Sequence, residues 1–280
     1  MHPIASSRPA DSSRRLSLSR FVWLALIPIL AGAAASRAGA DLALETETAR
    51  LLPPGQYTFG SAFEFQTSSS GEEYALPMAF EVGLLERLEL MIEPVAVASI
   101  HGDGESATGF GDIETTLTGL IVGEGSLLPA LGLAGEIKFP SATNEQIGSG
   151  EFDYRIYGIA SKRFGDFDLH LNAGYNFIGA PSGVRTRNPF DLAFGVEWFL
   201  TPRFDLVAEV TYIGSSFRSS GSTTLPGGGE SSLTPEIGGE ETVGSIGGRF
   251  HYSRCLDFFG TFSYDNNDAS LIRIGISMRF

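Results

Sequence analysis

The chain has 280 residues, with 33 acids against 19 lysines and arginines, a formal charge of −14 and one cysteine, Cys255. That acidity argues against a nucleic-acid partner, which favours basic stripes. A single cysteine excludes an intramolecular disulfide and any multi-cysteine metal site.

Arg14, Arg15 and Arg20 precede Phe21–Ala35, an apolar run too short and too rich in small residues for a comfortable spanning helix. Ala38-Gly39-Ala40 then offers an A-x-A cleavage site before Asp41, with no cysteine there to mark a lipoprotein. Residues 1–40 are therefore expected to be a signal peptide. They hold five basic residues (Arg8, Arg14, Arg15, Arg20, Arg37) and one acid, Asp11, so the remainder is more acidic still. No later stretch approaches ~20 continuous apolar residues, so any membrane crossing must be made by strands.

Residues 41–56 read as a short periplasmic or lumenal lead-in, closed by Pro53-Pro54-Gly55. Strand-like alternation follows near 57–67, where Tyr57, Phe59, Phe63 and Phe65 oppose Thr58, Ala62, Glu64 and Gln66. It recurs near 73–85, 88–99, 112–122 and 129–139, with Glu81, Glu89, Glu93, Glu114, Glu136 and Lys138 on the polar face. The segment at 152–163 alternates least cleanly. The one at 167–179 is the clearest, with Phe167, Leu169, Leu171 and Tyr175 against Asp168, His170, Asn172 and Asn176. Further segments lie near 190–200, 204–214, 242–252, 258–264 and 271–280. The last sets Ile272, Ile274, Ile276, Met278 and Phe280 against Arg273, Gly275, Ser277 and Arg279.

Twelve such segments are an even number, as a closed antiparallel barrel with both ends on one side requires. Links at Leu85–Arg87, Gly123–Leu127, Gly165-Asp166, Thr201–Arg203 and Ser253–Leu256 are short. They alternate with mostly longer ones at 68–72, 100–111, 140–151, 180–188, 215–241 and 265–270. Short periplasmic turns and long outer loops are the asymmetry of outer-membrane barrels. Strands of about ten residues cross a bilayer when tilted. Aromatics near strand ends on the apolar face fit interfacial girdles. The expected fold is all-β: one closed antiparallel transmembrane β-barrel of about 12 strands over residues 57–280.

Several local patterns point further. Gly109-Phe110-Gly111-Asp112 follows a long loop, Lys138-Phe139-Pro140-Ser141 ends the fifth strand, Ser161-Lys162 ends the sixth, and Asn172-Ala173-Gly174-Tyr175 sits in the seventh. Together they resemble the "MetA-pathway of phenol degradation" family of outer-membrane proteins over roughly 55–280. The family usually has Lys-Leu-Pro-Thr where this chain has residues 138–141, so Phe139 and Ser141 depart conservatively. The resemblance implies a barrel and, more weakly, passage of aromatic or other small hydrophobic compounds.

Candidate lumen-lining residues are Glu64, Glu81, Glu114, Glu136, Lys138, Arg155, Asp168, His170, Asp191, Glu197, Glu209, Arg249, His251 and Arg273. Acids dominate strands one to five and bases come from strands six to twelve, so a transverse charge gradient is expected across a polar passage. The alternative is that these groups pair and plug the lumen. Barrel closure is expected to set Arg273 and Arg279 beside the first strand. Ile274, Ile276, Met278 and Phe280 form a terminal signal of the kind read by barrel-assembly machinery. Pro77 and Pro94 flank the first short turn, where missing N–H groups mark a bulge or, alternatively, a side opening.

No Gly-x-Ser-x-Gly or His-Glu-x-x-His occurs, so neither a hydrolase elbow nor a zinc helix is indicated. No metal or cofactor is expected. The expected partners are outer-membrane lipid, lipopolysaccharide and a small-molecule solute. The acidic 215–241 loop leaves a surface-binding role open.

Overall fold

A computed structural model describes residues 43–102, 105–181, 186–216 and 240–280. The elements are β1 (Tyr57–Ser68), β2 (Gly71–Leu85), β3 (Leu88–Gly102), β4 (Glu105–Gly109), β5 (Ile113–Val122), β6 (Ala130–Phe139) and β7 (Asp153–Phe164). They continue with β8 (Phe167–Phe177), β9 (Phe190–Thr201), β10 (Phe204–Ile213), β11 (Glu241–His251), β12 (Leu256–Asp265) and β13 (Ser270–Arg279).

Neighbouring strands pair antiparallel, and β1 pairs with both β2 and β13, so the sheet closes on itself. Twelve strands make the circuit and β4 stands outside it. In the seam, Glu64 lies opposite Arg273 and Thr58 opposite Arg279. Tyr57 and Phe280 stack across it with ring centroids 5.1 Å apart. Closure leaves the twelve strands of the circuit no open edge in the wall, the condition for a sheet to sit in lipid.

Alternation sorts the faces. Phe63, Leu133, Ile156 and Ile274 are each more than half exposed on the outer wall, whereas Thr116, Ser161 and Asn172 are buried inside. This is the inverse of a water-soluble barrel and suits an apolar solvent outside. The irregular segment at 152–163 has a physical cause. In β7 the inward Tyr157 and Ile159 are apolar and pack with Ala49, Ala130 and Ala134 in a small core inside the barrel.

Two expectations need correction. The link at 100–111 is not simply a loop: β3 runs on to Gly102, and β4 pairs back on Ala98–Gly102. Ser106, Ala107 and Thr108 carry no apolar stripe, so periodicity did not mark this strand. The link at 68–72 is tighter than expected, because Glu72 already pairs with Thr67 in the β1–β2 ladder.

Pro77 lies opposite Val95, with an irregularity next to Ala75. Pairing nonetheless resumes and continues to Glu72 opposite His101. The prolines mark an irregular stretch of the ladder, where the register passes from Pro77 opposite Val95 to Phe80 opposite Ile92 and skips Met78, Ala79, Glu93 and Pro94. The expected signal peptide and the glycine-rich middle of the 215–241 loop fall outside the described residues.

Candidate functional site

The lumen is occupied by the chain's own lead-in. Gly55 turns the chain at φ +79°, and Gly55 and Gln56 exchange backbone hydrogen bonds with Gly83 at the short-turn end. A Cβ on Gly83 would lie 2.3 Å from the Pro53 carbonyl oxygen, so only glycine lets the lead-in lie this close to β2. From there the segment runs inward. Ala43, Leu44, Thr46, Ala49 and Leu52 are buried against the inner wall.

Wall side chains take up the segment's backbone groups. The Leu52 N–H donates to Glu89 Oε2 at 2.5 Å, and the Ala49 N–H donates to Ser161 Oγ at 2.9 Å. The Glu47 N–H donates to Asn172 Oδ1 at 2.6 Å, and Asn172 Nδ2 donates to the Glu47 carbonyl at 3.0 Å. The Glu45 N–H donates to Glu209 Oε1 at 3.1 Å, and the Thr46 hydroxyl donates to the other Glu209 oxygen. A segment without a sheet partner thus satisfies buried polar groups through side chains, as it must to persist there.

Charge reinforces the dock. Arg50 bonds Asp168 at 2.7 and 2.8 Å and reaches Glu124, in the β5–β6 turn, at 2.8 Å. Against desolvation, the largest single influence, the Arg163 backbone N–H, the Arg50 guanidinium and Lys162 together hold the Glu124 carboxyl down at about 2. Glu47 is different. Burial first, then the neighbouring Glu89 and Glu136 carboxylates, push its carboxyl up to about 8.

The predicted inner-face residues divide by partner. Arg155 bonds Asp191 at 2.6 Å and Glu136 at 3.5 Å, and its guanidinium lies over the Tyr157 ring at 4.1 Å. Arg249 bonds Glu197 at 2.7 Å. Arg273 bonds Glu64 at 2.5 Å and Glu45 at 2.7 Å. Lys138 pairs with Asp153 and lies 3.6 Å from Asp112. His251 sits between Asp205 and Asp257 at 2.5 and 2.7 Å, and Arg279 completes that chain on Asp257. Asp168 also takes Arg163 at 2.7 Å. Glu209 is taken by the lead-in. Glu81 accepts from the Thr58 hydroxyl at 2.9 Å. Glu93 and Glu114 form no ion pair among the described residues. Bases are thus neutralised by acids on nearby strands, and the inner-face groups left without an ion pair are carboxyls.

Ser161, His170 and Asp168 stand in the order of a hydrolytic triad, with Ser161 Oγ 2.9 Å from His170 Nδ1 and His170 Nε2 3.9 Å from Asp168. The arrangement has no open face. Ser161 is fully buried beneath Ala49, whose N–H already occupies its hydroxyl. A nucleophile needs room for an acyl group beside it.

Cavities remain inside the barrel, two of which flank the lead-in. One of about 230 Å³ is lined by Glu45, Glu209, Glu241, Asp265 and Arg273, among others. The other, about 110 Å³, is lined by Glu47, Glu93, Glu114, Glu136, Arg155 and Arg273, together with Glu45 and others.

Periodicity gave the wall residues but missed Glu45, Thr46, Glu47 and Arg50, which belong to an aperiodic stretch. Of their wall partners, Ser161 was visible only within a shared family pattern, whereas Asn172 also stood on the polar face of the seventh strand. The other two patterns meet at the long-loop end. Gly111 donates to the Val95 carbonyl, and a Cβ there would lie 2.7 Å from the Val95 Cβ. The Asp112 carboxylate accepts the Ala142 N–H at 2.9 Å, and the Ser141 hydroxyl donates to the Gly111 carbonyl at 3.3 Å. Gly109–Asp112 and Lys138–Ser141 therefore clasp the strand ends together.

Solved structures with this shape include outer-membrane channels and porins. The COG4313 outer membrane channel from Pseudomonas putida F1 matches 85% of this chain and 100% of its own, at 12% identity and TM-score 0.62. The NanC porin matches 79% of this chain and 100% of its own, at 12% identity and TM-score 0.55. The KdgM porin in complex with disordered oligogalacturonate matches 80% and 99%, at 11% identity and TM-score 0.52. At such identities the likeness establishes the fold, a barrel of bacterial outer-membrane type. No curated protein matches the chain in sequence. Residues 37–253 match the family model described as "Putative MetA-pathway of phenol degradation", and the chain belongs to that family.

Proposed function

We propose that the protein is a passive outer-membrane channel for small solutes, made narrow by its own lead-in. The observation that carries this reading is a polar lumen that still encloses cavities of about 230 and 110 Å³ beside the lead-in. A filled barrel would leave no such space, and a wide porin would not need a segment laid inside it. The residues proposed to line the passage are Glu64, Glu81, Glu114, Glu136, Arg155, Glu209 and Arg273. A leader at residues 1–40 would deliver the chain for assembly, with lipid and lipopolysaccharide around the finished wall. The family description supports aromatic solutes. The charged lumen favours those bearing a polar or ionised group over bare hydrocarbons.

Planar-bilayer recording and liposome swelling test this directly. Stepwise conductance, with faster swelling in small polar aromatics than in disaccharides, is the expected result. Absence of both steps and swelling would overturn it. A plugged barrel with a structural or surface role is the second reading, favoured by the many hydrogen bonds that seat residues 45–52. In that case, conductance would appear only in a variant lacking residues 43–52.

A further inference from the structure

The two cavities share two lining residues, Glu45 and Arg273. These form an ion pair, Arg273 Nη2 to Glu45 Oε1 at 2.7 Å. The contact that borders both cavities therefore joins a barrel side chain, Arg273 of β13, to a side chain of the lead-in, Glu45.

Its two halves differ in freedom. Arg273 is held in the wall, 13% exposed, with its Nε on Glu64. The Glu45 backbone is pinned, because its N–H and the next residue's hydroxyl both go to Glu209. The Glu45 carboxylate, by contrast, is 63% exposed to the lumen. A pinned backbone with an exposed carboxylate is built to swing without undocking the segment. The contact it gives up has one exposed half, the Glu45 carboxylate, and one largely buried half, Arg273, so an anion that replaces Glu45 must restore the charge balance at Arg273.

We propose that Glu45 is an exchangeable stand-in for a solute carboxylate: a small monocarboxylate takes its place on Arg273, and the displaced Glu45 side chain opens the passage between the cavities. The exchange conserves charge at Arg273, which keeps Glu64 throughout. It also sets specificity. Glu241 and Asp265 line the larger cavity, whereas the smaller holds Arg155 beside the protonated Glu47. A solute arriving from the larger cavity carries its remainder among Glu241 and Asp265, so a second negative charge there is rejected while a neutral or cationic remainder is accepted. This deepens the channel reading and rests on it for its physiological meaning. Its binding test does not depend on conduction.

The test is calorimetric titration of the detergent-solubilised full-length barrel with acetate, succinate and ethylammonium, using wild type, Glu45→Gln and Glu45→Asp. Folding of each is checked by heat-modifiable gel mobility. Glutamine keeps the size of the side chain and removes the competing charge, so Glu45→Gln is expected to bind acetate about fivefold more tightly than wild type, the upper end for one exposed ion pair. Glu45→Asp keeps the competing charge and stays near wild type, and succinate binds none of them. Equal acetate affinity in wild type and Glu45→Gln, or no acetate binding to either, overturns the proposal. So does succinate binding as tightly as acetate. Bilayer recordings on the same samples report separately on the channel reading. Acetate exchange in a barrel that never conducts would refute the channel and keep the exchange.

Discussion

The carboxamide of Asn172 embraces the peptide unit of Glu47, accepting its N–H at 2.6 Å and donating to its carbonyl at 3.0 Å. One wall side chain thereby does for the lead-in what a neighbouring strand does in a ladder. Asn172→Ala removes both hydrogen bonds and leaves two backbone groups short of partners, a loss of about 1–3 kcal/mol. The expected outcome is a looser lead-in: faster proteolysis near residues 43–52 and higher mean conductance, with unchanged heat-modifiable mobility. Unchanged proteolysis would show that Asn172 does not hold the segment.

Arg50 joins the lead-in to two acids, of which Asp168 is the more buried. Asp168 retains Arg163 when Arg50 is lost, so Arg50→Ala is expected to cost about 2–3 kcal/mol, the lower end for breaking a buried pair. The check is a fall in thermal midpoint, followed by the gel-mobility shift.

The Arg50–Glu124 contact has a defined pH window. The folded carboxyl is depressed to about 2, so its stabilising contribution is present above the ordinary glutamate range and lost as pH falls through about 2. Thermal midpoints of wild type and Glu124→Gln are expected to differ at pH 6 and to converge near pH 2.

Glu47 works in the opposite sense. Its folded carboxyl is raised to about 8 by burial and by Glu89, Glu136 and Glu45, with Arg155 pulling against them. The stabilisation is complete below the ordinary glutamate range and lost as pH rises through about 8. Lead-in protection from protease should fall progressively from about pH 5 to about pH 8 in wild type and level off above. In Glu47→Gln it should stay flat over that range.

Leu171 projects from mid-β8 and is 46% exposed on the outer wall. If that wall meets acyl chains, Leu171→Arg costs about 2–4 kcal/mol, the range for a cation near a bilayer midplane. Unfolding in lipid vesicles measures it. A neutral result would place the wall in water.

The barrel was legible because its signal is repeated. Period-two alternation recurs in each crossing, so β8 and β13 could be bounded to within a few residues, and the seam of Glu64 with Arg273 followed from chain closure. β7 blurred because Tyr157 and Ile159 face inward to cover Ala49, a contact more than a hundred residues away in sequence. The lead-in was legible only as a stretch that is not a strand. Its fold has no period, and its hydrogen bonds go to Glu89, Ser161, Asn172 and Glu209 on four different strands. No local pattern encodes that set. Only the shared motifs around Ser161 and Asn172 hinted at it, and they carry no label that distinguishes a wall joint from an anchor.

Only Pro53, Pro54, Gly55 and Gln56 separate the docked stretch from β1. A released lead-in therefore never diffuses away. It re-encounters its seat at an effective concentration on the order of millimolar. Reclosure is then first-order and independent of protein concentration, so dilution cannot hold the lumen clear. Blocked intervals should be frequent and brief, and a soluble peptide of the same sequence would have to outnumber a tethered copy before it competed.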